Sequence, residues 1–272
     1  MAIPKQIYLF WNGPMPVVVE RCIRRIRALH DKTWSVHLLT NASESVEGFE
    51  ALSIQWKSDW ARVCAMQQGG IWLDASCICT KSVDSWVRMD SDDVQGFSAP
   101  FAFDSLENWA FAAPPHHPLL IRWKQILREA IIMGFDKFKS SVPDFIREHS
   151  IFEYMPYLTM HACYLMAAKE TGRRAVLTPS CEGPFRYLCR MKWDTRRAVK
   201  ALMHQPLNDP PPLMKLRGAE TIAIGKIGCK DGSFMSALGM PLRNRLPILY
   251  MIAFVLVASF FLWRCQRTKQ ST

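Results

Sequence analysis

Residues 58–80 read SDWARVCAMQQGGIWLDASCICT, and the fold class turns on how this stretch is parsed. Ser58 is a favourable helix N-cap and Asp59 suits a first helical turn, which predicts a helix over 58–68. Gly69-Gly70 ends that helix. Ile71 to Thr80 (IWLDASCICT) then reads as a strand, with Cys77 and Cys79 on one face. Upstream, Ile7 to Phe10 is a short apolar run stopped by the turn signal Asn12-Gly13-Pro14, as expected of a buried first strand. Val18, Val19, Cys22, Ile23, Ile26 and Leu29 recur at helical spacing, and Arg21, Arg24, Arg25 and Arg27 fill the opposite face. Trp34 to Leu39 reads as a second strand. The order β-α-β followed by α-β predicts an α/β domain with a largely parallel sheet.

Downstream of this unit, residues 94–99 and 109–113 are candidate strands. Residues 117–134 form an amphipathic helical pattern, with Leu119, Leu120, Trp123, Ile126, Leu127 and Ile131 inward. Residues 144–168 read as mostly helical with a break near Pro156. The proline-rich segment 205–217 reads as a loop, and 213–239 shows no decisive period.

Composition narrows the class. The chain has 272 residues, of which 49% are hydrophobic, so it is neither a disordered tail nor a disulfide miniprotein. Lys plus Arg less Asp plus Glu is 34 − 24 = +10, which favours an anionic partner. Eight Lys/Arg against two acids fall within 173–200. Phe185, Tyr187 and Trp193 interleave there without a nucleic-acid-binding signature, so no nucleic acid is expected as a partner. The nine cysteines sit mostly in apolar runs with no zinc-ligand spacing, and read as buried reduced thiols.

Leu246 to Trp263 (LPILYMIAFVLVASFFLW) is free of charge over 18 residues. As a helix it would span about 27 Å, close to a bilayer core. The N-terminus does not read as a signal peptide. The expected organisation is a catalytic domain at 1–240, a basic connector at 241–245, a transmembrane helix at 246–263 and a basic tail at 264–272. Membrane lipid is then a partner, in a single-pass arrangement with the domain in the cytosol.

Three ordered motifs carry a resemblance. They are Ile3-Pro4-Lys5-Gln6-Ile7 with Trp11, then Ser58-Asp59 with Arg62, then Gly69-Gly70-Ile71-Trp72-Leu73-Asp74. A looser echo follows at Glu107 to Ala113 and His117-Pro118. Together these resemble the glycosyltransferases with a DXD sugar-binding region, most closely their capsular polysaccharide synthesis branch. The resemblance spans roughly residues 1–190. It implies a GT-A-like (Rossmann-like) domain with added helices. It also implies hexose transfer from a UDP- or GDP-sugar to a glycan, lipid-linked or protein acceptor, with retention of configuration.

Some roles follow from the residues and some from the resemblance. Trp11 ends the first strand, where ligands bind in open α/β sheets, and the resemblance places the nucleobase there. Asp59 and Arg62, three apart on a helix, share a face; by resemblance they hold the donor sugar and its phosphate. The resemblance makes Asp74 the head of an Asp-x-Asp element that binds Mn²⁺ or Mg²⁺ on the diphosphate. Here that element reads Asp74-Ala75-Ser76, so its second carboxylate is replaced by a hydroxyl. Asn108 is a further donor-side candidate, and His161 and Glu182 are candidates on the acceptor side. The incomplete element also admits a second reading, a catalytically inactive membrane-tethered sugar- or nucleotide-binding relative.

Overall fold

The computed structural model describes residues 2–240. The connector 241–245, the apolar stretch 246–263 and the tail 264–272 lie outside the described residues. Among the described residues, no helix is long and apolar enough to cross a membrane.

The chain begins β1 (Gln6–Phe10), α1 (Val17–Leu29), β2 (Ser35–Leu39), α2 (Ile54–Ala65), β3 (Gly70–Leu73) and β4 (Cys77–Cys79). It continues with β5 (Gln95–Ala99), β6 (Ala102–Ala113), α3 (Pro118–Met133), α4 (Phe135–Ser141), α5 (Asp144–Arg147) and α6 (Thr159–Thr171). The last part holds β7 (Val176–Pro179), α7 (Arg186–Arg190), α8 (Thr195–His204), β8 (Leu213–Lys215), α9 (Gly218–Gly225) and α10 (Phe234–Ala237).

Six strands form one sheet in the order β2-β1-β3-β6-β5-β7, and β4 pairs with β8 in a separate ribbon. Side chains alternate across the central strands, as the pleat requires. Ile7, Leu9, Ile71, Leu73, Ala110 and Ala112 join the core under α1 and α8. Phe10, Trp72, Phe111 and Ala113 join the core under α2, α3 and α6. The sheet is therefore covered on both faces, a mixed α/β fold.

Four expectations need correction. The sheet is mixed rather than largely parallel, because β3 meets β6 antiparallel and β6 meets β5 antiparallel. Helix α2 starts four residues before Ser58: its cap is Ser53, whose side chain accepts from Trp56 N. That start lets Trp60 reach the core and places Asp59 and Arg62 mid-helix, where each neutralises the other. The expected strand 71–80 is broken at Asp74-Ala75-Ser76, where the chain leaves the main sheet and re-enters as β4 beside β8.

The fourth correction concerns the cysteines. Cys181 and Cys189 form a disulfide. The turn at 180–185, closed by Phe185 N donating to Ser180 O at 2.7 Å, brings their Cα atoms to 5.7 Å. Cys22, Cys64, Cys77, Cys79 and Cys163 are buried reduced thiols, as expected, and Cys229 is buried with its Sγ donating to Met240 O at 3.2 Å. Burial pushes the Cys22 and Cys79 thiols up to about 12, which makes them unreactive packing groups.

The crossovers place the site. β1 pairs in parallel with β2 on one side and β3 on the other. α1, which leads to β2, packs on one face, and α2, which leads to β3, packs on the opposite face. The chain thus switches direction between β1 and β3. A crevice opens at the carboxyl ends of strands at such a switch point, the usual ligand position of an open α/β sheet.

Candidate active site

The crevice is a cavity of about 780 Å³, within the range of small-molecule sites. Trp11 follows β1 directly and Asp74 follows β3, so the parallel pairing brings both to the same sheet edge. Asn108 arrives from the neighbouring antiparallel strand. Asp74 N donates to Trp109 O at 2.7 Å, which locks the two segments together. Helix α2 lays Asp59 and Arg62 along the floor. Trp11, Asp59, Arg62, Asp74, Ser76, Asn108 and His161 all line this one cavity.

Their polar atoms form a continuous network. The Arg62 guanidinium donates through one nitrogen to Asp59 Oδ1 and through another to Asp74 Oδ1 at 3.0 Å. It also lies over the Trp72 ring, 4.9 Å from the centroid. Asn108 Nδ2 donates to Asp59 Oδ1 at 3.3 Å, and Trp72 Nε1 donates to Asp74 Oδ1 at 3.2 Å. Lys215 Nζ donates to Asp74 Oδ2 and to Ser76 Oγ, both at 2.8 Å. Ser76 Oγ in turn donates to Leu216 O at 2.9 Å.

The electrostatics differ between the two carboxylates. Burial raises the Asp59 carboxyl above its ordinary range, and the Arg62 charge only partly offsets this. Burial also acts to raise Asp74, but the Lys215 and Arg62 charges outweigh it and hold Asp74 below the usual range. Asp74 therefore remains a carboxylate at neutral pH.

Deeper in the cavity, His161 on α6 and Glu107 on β6 are both buried, with His161 Nε2 3.6 Å from Glu107 Oε2. Among the described residues, neither ring nitrogen of His161 has a hydrogen-bond partner. A buried polar ring that opens on a cavity without a partner is suited to a ligand hydroxyl. The mouth is aromatic and partly exposed, with Phe101, Tyr157 and Trp193 at its rim. Trp193 is held by Phe185 at 5.4 Å and by the Arg217 guanidinium at 5.2 Å.

Residues 2–164 match the family described as capsular polysaccharide synthesis protein. The chain belongs to this family. It is a glycosyltransferase of the capsular branch that its three ordered motifs resemble. No curated protein matches the sequence. Similar solved structures include the PaToxG glycosyltransferase, at 13% identity and TM-score 0.37, covering 66% of this chain and 83% of that one. Another is a glycosyltransferase involved in glycosylation of the major capsid of PBCV-1, at 11% identity and TM-score 0.41, covering 82% and 98%. A third is the glycosyltransferase GlyE of Streptococcus pneumoniae, at 10% identity and TM-score 0.43, covering 78% and 54%. At these scores the likenesses carry no argument about this chain.

The resemblance implies a divalent cation on Asp74, and the residues present do not fit one. Both oxygens of Asp74 already accept from cationic donors, and the second position of the element is a hydroxyl bonded to Lys215. A divalent cation of this kind takes about six oxygen ligands, carboxylates prominent among them. Among the described residues, no group of three or more His, Cys, Asp or Glu is placed to hold a metal.

Glu182, an acceptor-side candidate, does not line the cavity; its amide closes a turn onto Pro179 O at 3.0 Å. Phe185 from the same turn does line it. Lys215, Glu107 and Arg217 line the cavity and were not singled out from the sequence. Glu107 stands beside Asn108 in a motif already noted, so its position was within reach. For Lys215 there was no signal: it lies in 213–239, where no period is legible, and outside the matched residues.

Proposed function

We propose that this glycosyltransferase moves a hexose from a UDP- or GDP-sugar to a glycan, lipid-linked or protein acceptor, with retention of anomeric configuration. The observation that carries the reading is the single network from Asp59 through Arg62 to Asp74 on the cavity floor, with Trp11 at its edge. Trp11 stacks on the nucleobase, its ring anchored by Nε1 donating to Gly13 O at 3.2 Å and Pro14 O at 3.3 Å. Asp59 and Asn108 bind hydroxyls of the donor sugar, and Arg62 orients the sugar-phosphate junction.

In the transfer step an acceptor hydroxyl oxygen bonds to the anomeric carbon. The bond from that carbon to the diphosphate oxygen breaks, and its electron pair leaves with the diphosphate. The hydroxyl proton ends on a departing phosphate oxygen. The fixed positive groups around Asp74 stabilise the charge that develops there. His161 and Glu107 hold the acceptor hydroxyl side.

The test is a calorimetric titration of the purified chain with a panel of UDP- and GDP-hexoses, paired with an assay of nucleoside diphosphate release on acceptor addition. One nucleotide class is expected to bind and turn over. His161→Ala is expected to raise acceptor KM while donor affinity stays unchanged. If no member of the panel binds, the donor reading is wrong. The inactive-relative reading draws its support from the missing second carboxylate, where Ser76 accepts from Lys215; donor binding without release of nucleoside diphosphate would favour it.

The stretch 246–263 is proposed as a membrane anchor, flanked by Arg243, Arg245, Arg264, Arg267 and Lys269. Deleting residues 241–272 is expected to move the protein from the membrane pellet to the supernatant after ultracentrifugation; a deletion product still in the pellet under high salt would remove the anchor. The Cys181–Cys189 disulfide favours an oxidising compartment, against the cytosolic side expected for the domain. Protease protection in sealed vesicles decides between the two sides.

A further inference from the structure

The substitution that breaks the Asp-x-Asp element and the lysine that arrives beside it are two halves of one device. In a two-carboxylate element the charges −2 and a divalent +2 cancel. Here the element keeps one carboxylate, Asp74, and its partner is one ammonium, Lys215, so −1 and +1 cancel as well. Ser76, at the place of the second carboxylate, contributes a neutral oxygen to the same ammonium. We propose that Lys215 takes the place of the divalent cation, so that this protein binds the donor diphosphate without a metal. The proposal rests on the donor reading given above and adds to it the residue that engages the phosphates.

The geometry supports a direct contact. An ammonium has three N–H donors. Two are spent on Asp74 and Ser76, which leaves one for a phosphate oxygen, and the residue lines the cavity. Its backbone is held from three directions. Strand β8 pairs with β4 in the register Cys77↔Lys215. Lys215 N donates to Pro184 O at 3.2 Å, and Tyr187 Oη donates to Lys215 O at 2.7 Å. Leu216 N donates to Ser76 O at 3.3 Å, which ties the lysine strand to the interrupted element itself. A cation fixed in this way needs no reorganisation when a diphosphate arrives. Arg62, bonded to the other oxygen of Asp74, supplies a second positive group on the same carboxylate.

The experiment is calorimetric binding of UDP and of GDP to the full-length chain in detergent, in EDTA and again in MnCl₂. The nucleotide that binds is expected to do so equally in both buffers, within about threefold, a difference of about 0.65 kcal/mol. Lys215→Met in EDTA is expected to weaken binding by about 10- to 100-fold, the worth of a charged hydrogen bond. Lys215→Arg keeps the charge and is expected to retain most of the affinity. Binding that requires Mn²⁺ overturns the proposal and leaves the donor reading intact. So does unchanged affinity in Lys215→Met. No binding of either nucleotide in either buffer sinks the donor reading and the proposal with it. If Lys215→Met does not fold, the wild-type comparison in EDTA and MnCl₂ still decides.

Discussion

Asp74→Asn is expected to reduce sugar transfer by roughly a hundred- to a thousandfold, the cost of removing a preorganised electrostatic group from a reaction centre. The carboxylate is the only acceptor shared by Arg62 and Lys215 among the described residues, one cation on each oxygen. An amide offers one acceptor oxygen and an NH₂ that only donates, so one of the two cations loses its bond here and is held only by Asp59, for Arg62, or Ser76, for Lys215. The same loss bears on stability. Breaking a buried charged pair costs about 3–5 kcal/mol, and the cavity side of Asp74 is open enough to water to place the cost at or below about 3. For a domain of this size that lowers the melting temperature by about 6–12 °C.

The pH dependence separates the charge from the shape. Asp74 is held below the ordinary carboxylate range, so its stabilising contribution is present above that range and is lost as pH falls through the lowered value. Asp74→Asn is therefore expected to flatten part of the acid limb of a melting profile while circular dichroism at pH 7 stays native. Transfer above a tenth of the wild-type rate in the folded variant would overturn the assignment of Asp74.

The second large effect is on folding. Gly70→Ala is expected to lower stability by about 3 kcal/mol or more, from strained backbone and overpacking together. Gly70 has φ +116°, and a Cβ there would stand 2.7 Å from Gln6 O, a backbone atom of the strand it pairs against. Gly69 shows the same conflict, with φ +68° and a Cβ 2.5 Å from Pro115 N. Neither neighbour can rotate away, because each is main chain. The expected readout is a fall in melting temperature of about 10 °C or failure to accumulate folded protein. A Gly70→Ala protein that melts within 2–3 °C of wild type, a change of about 1 kcal/mol, would show that the β1–β3 junction relaxes. The Gly-Gly pair thus acts on the site indirectly: it lets β3 close against β1 so that Asp74 emerges beside Trp11.

Much of the site was legible because its parts are local. Asp59 and Arg62 are three apart on a helix, and that spacing alone predicts their contact. Trp11 was placed at a strand end by an apolar run followed by turn residues; Asp74 was read inside a strand, and the end of β3 at Leu73 with the parallel pairing of β1 and β3 brings it beside Trp11. The helix start was misplaced because Ser53 and Ser58 are equally good caps on paper. What decides between them is tertiary: a helix from Ile54 carries Trp60 into the core in its second turn. The strand expected over 71–80 splits for a related reason. The apolar run is interrupted only at Asp74 and Ser76, and their departure from the sheet follows from the cations they meet.

The sequence by itself determined the family, the α/β class and the sheet edge that carries the proposed donor site, since these depend on periods and short motifs that act over a few residues. Only the tertiary structure decided what sits opposite Asp74. Lys215 is 141 residues away along the chain and reaches the site through the pairing of β8 with β4, three residues long and without a sequence period of its own. The interrupted Asp-Ala-Ser element looks like a loss when read alone. Folding brings it a buried ammonium, because a carboxylate held in a cavity draws the nearest cation that the topology can supply.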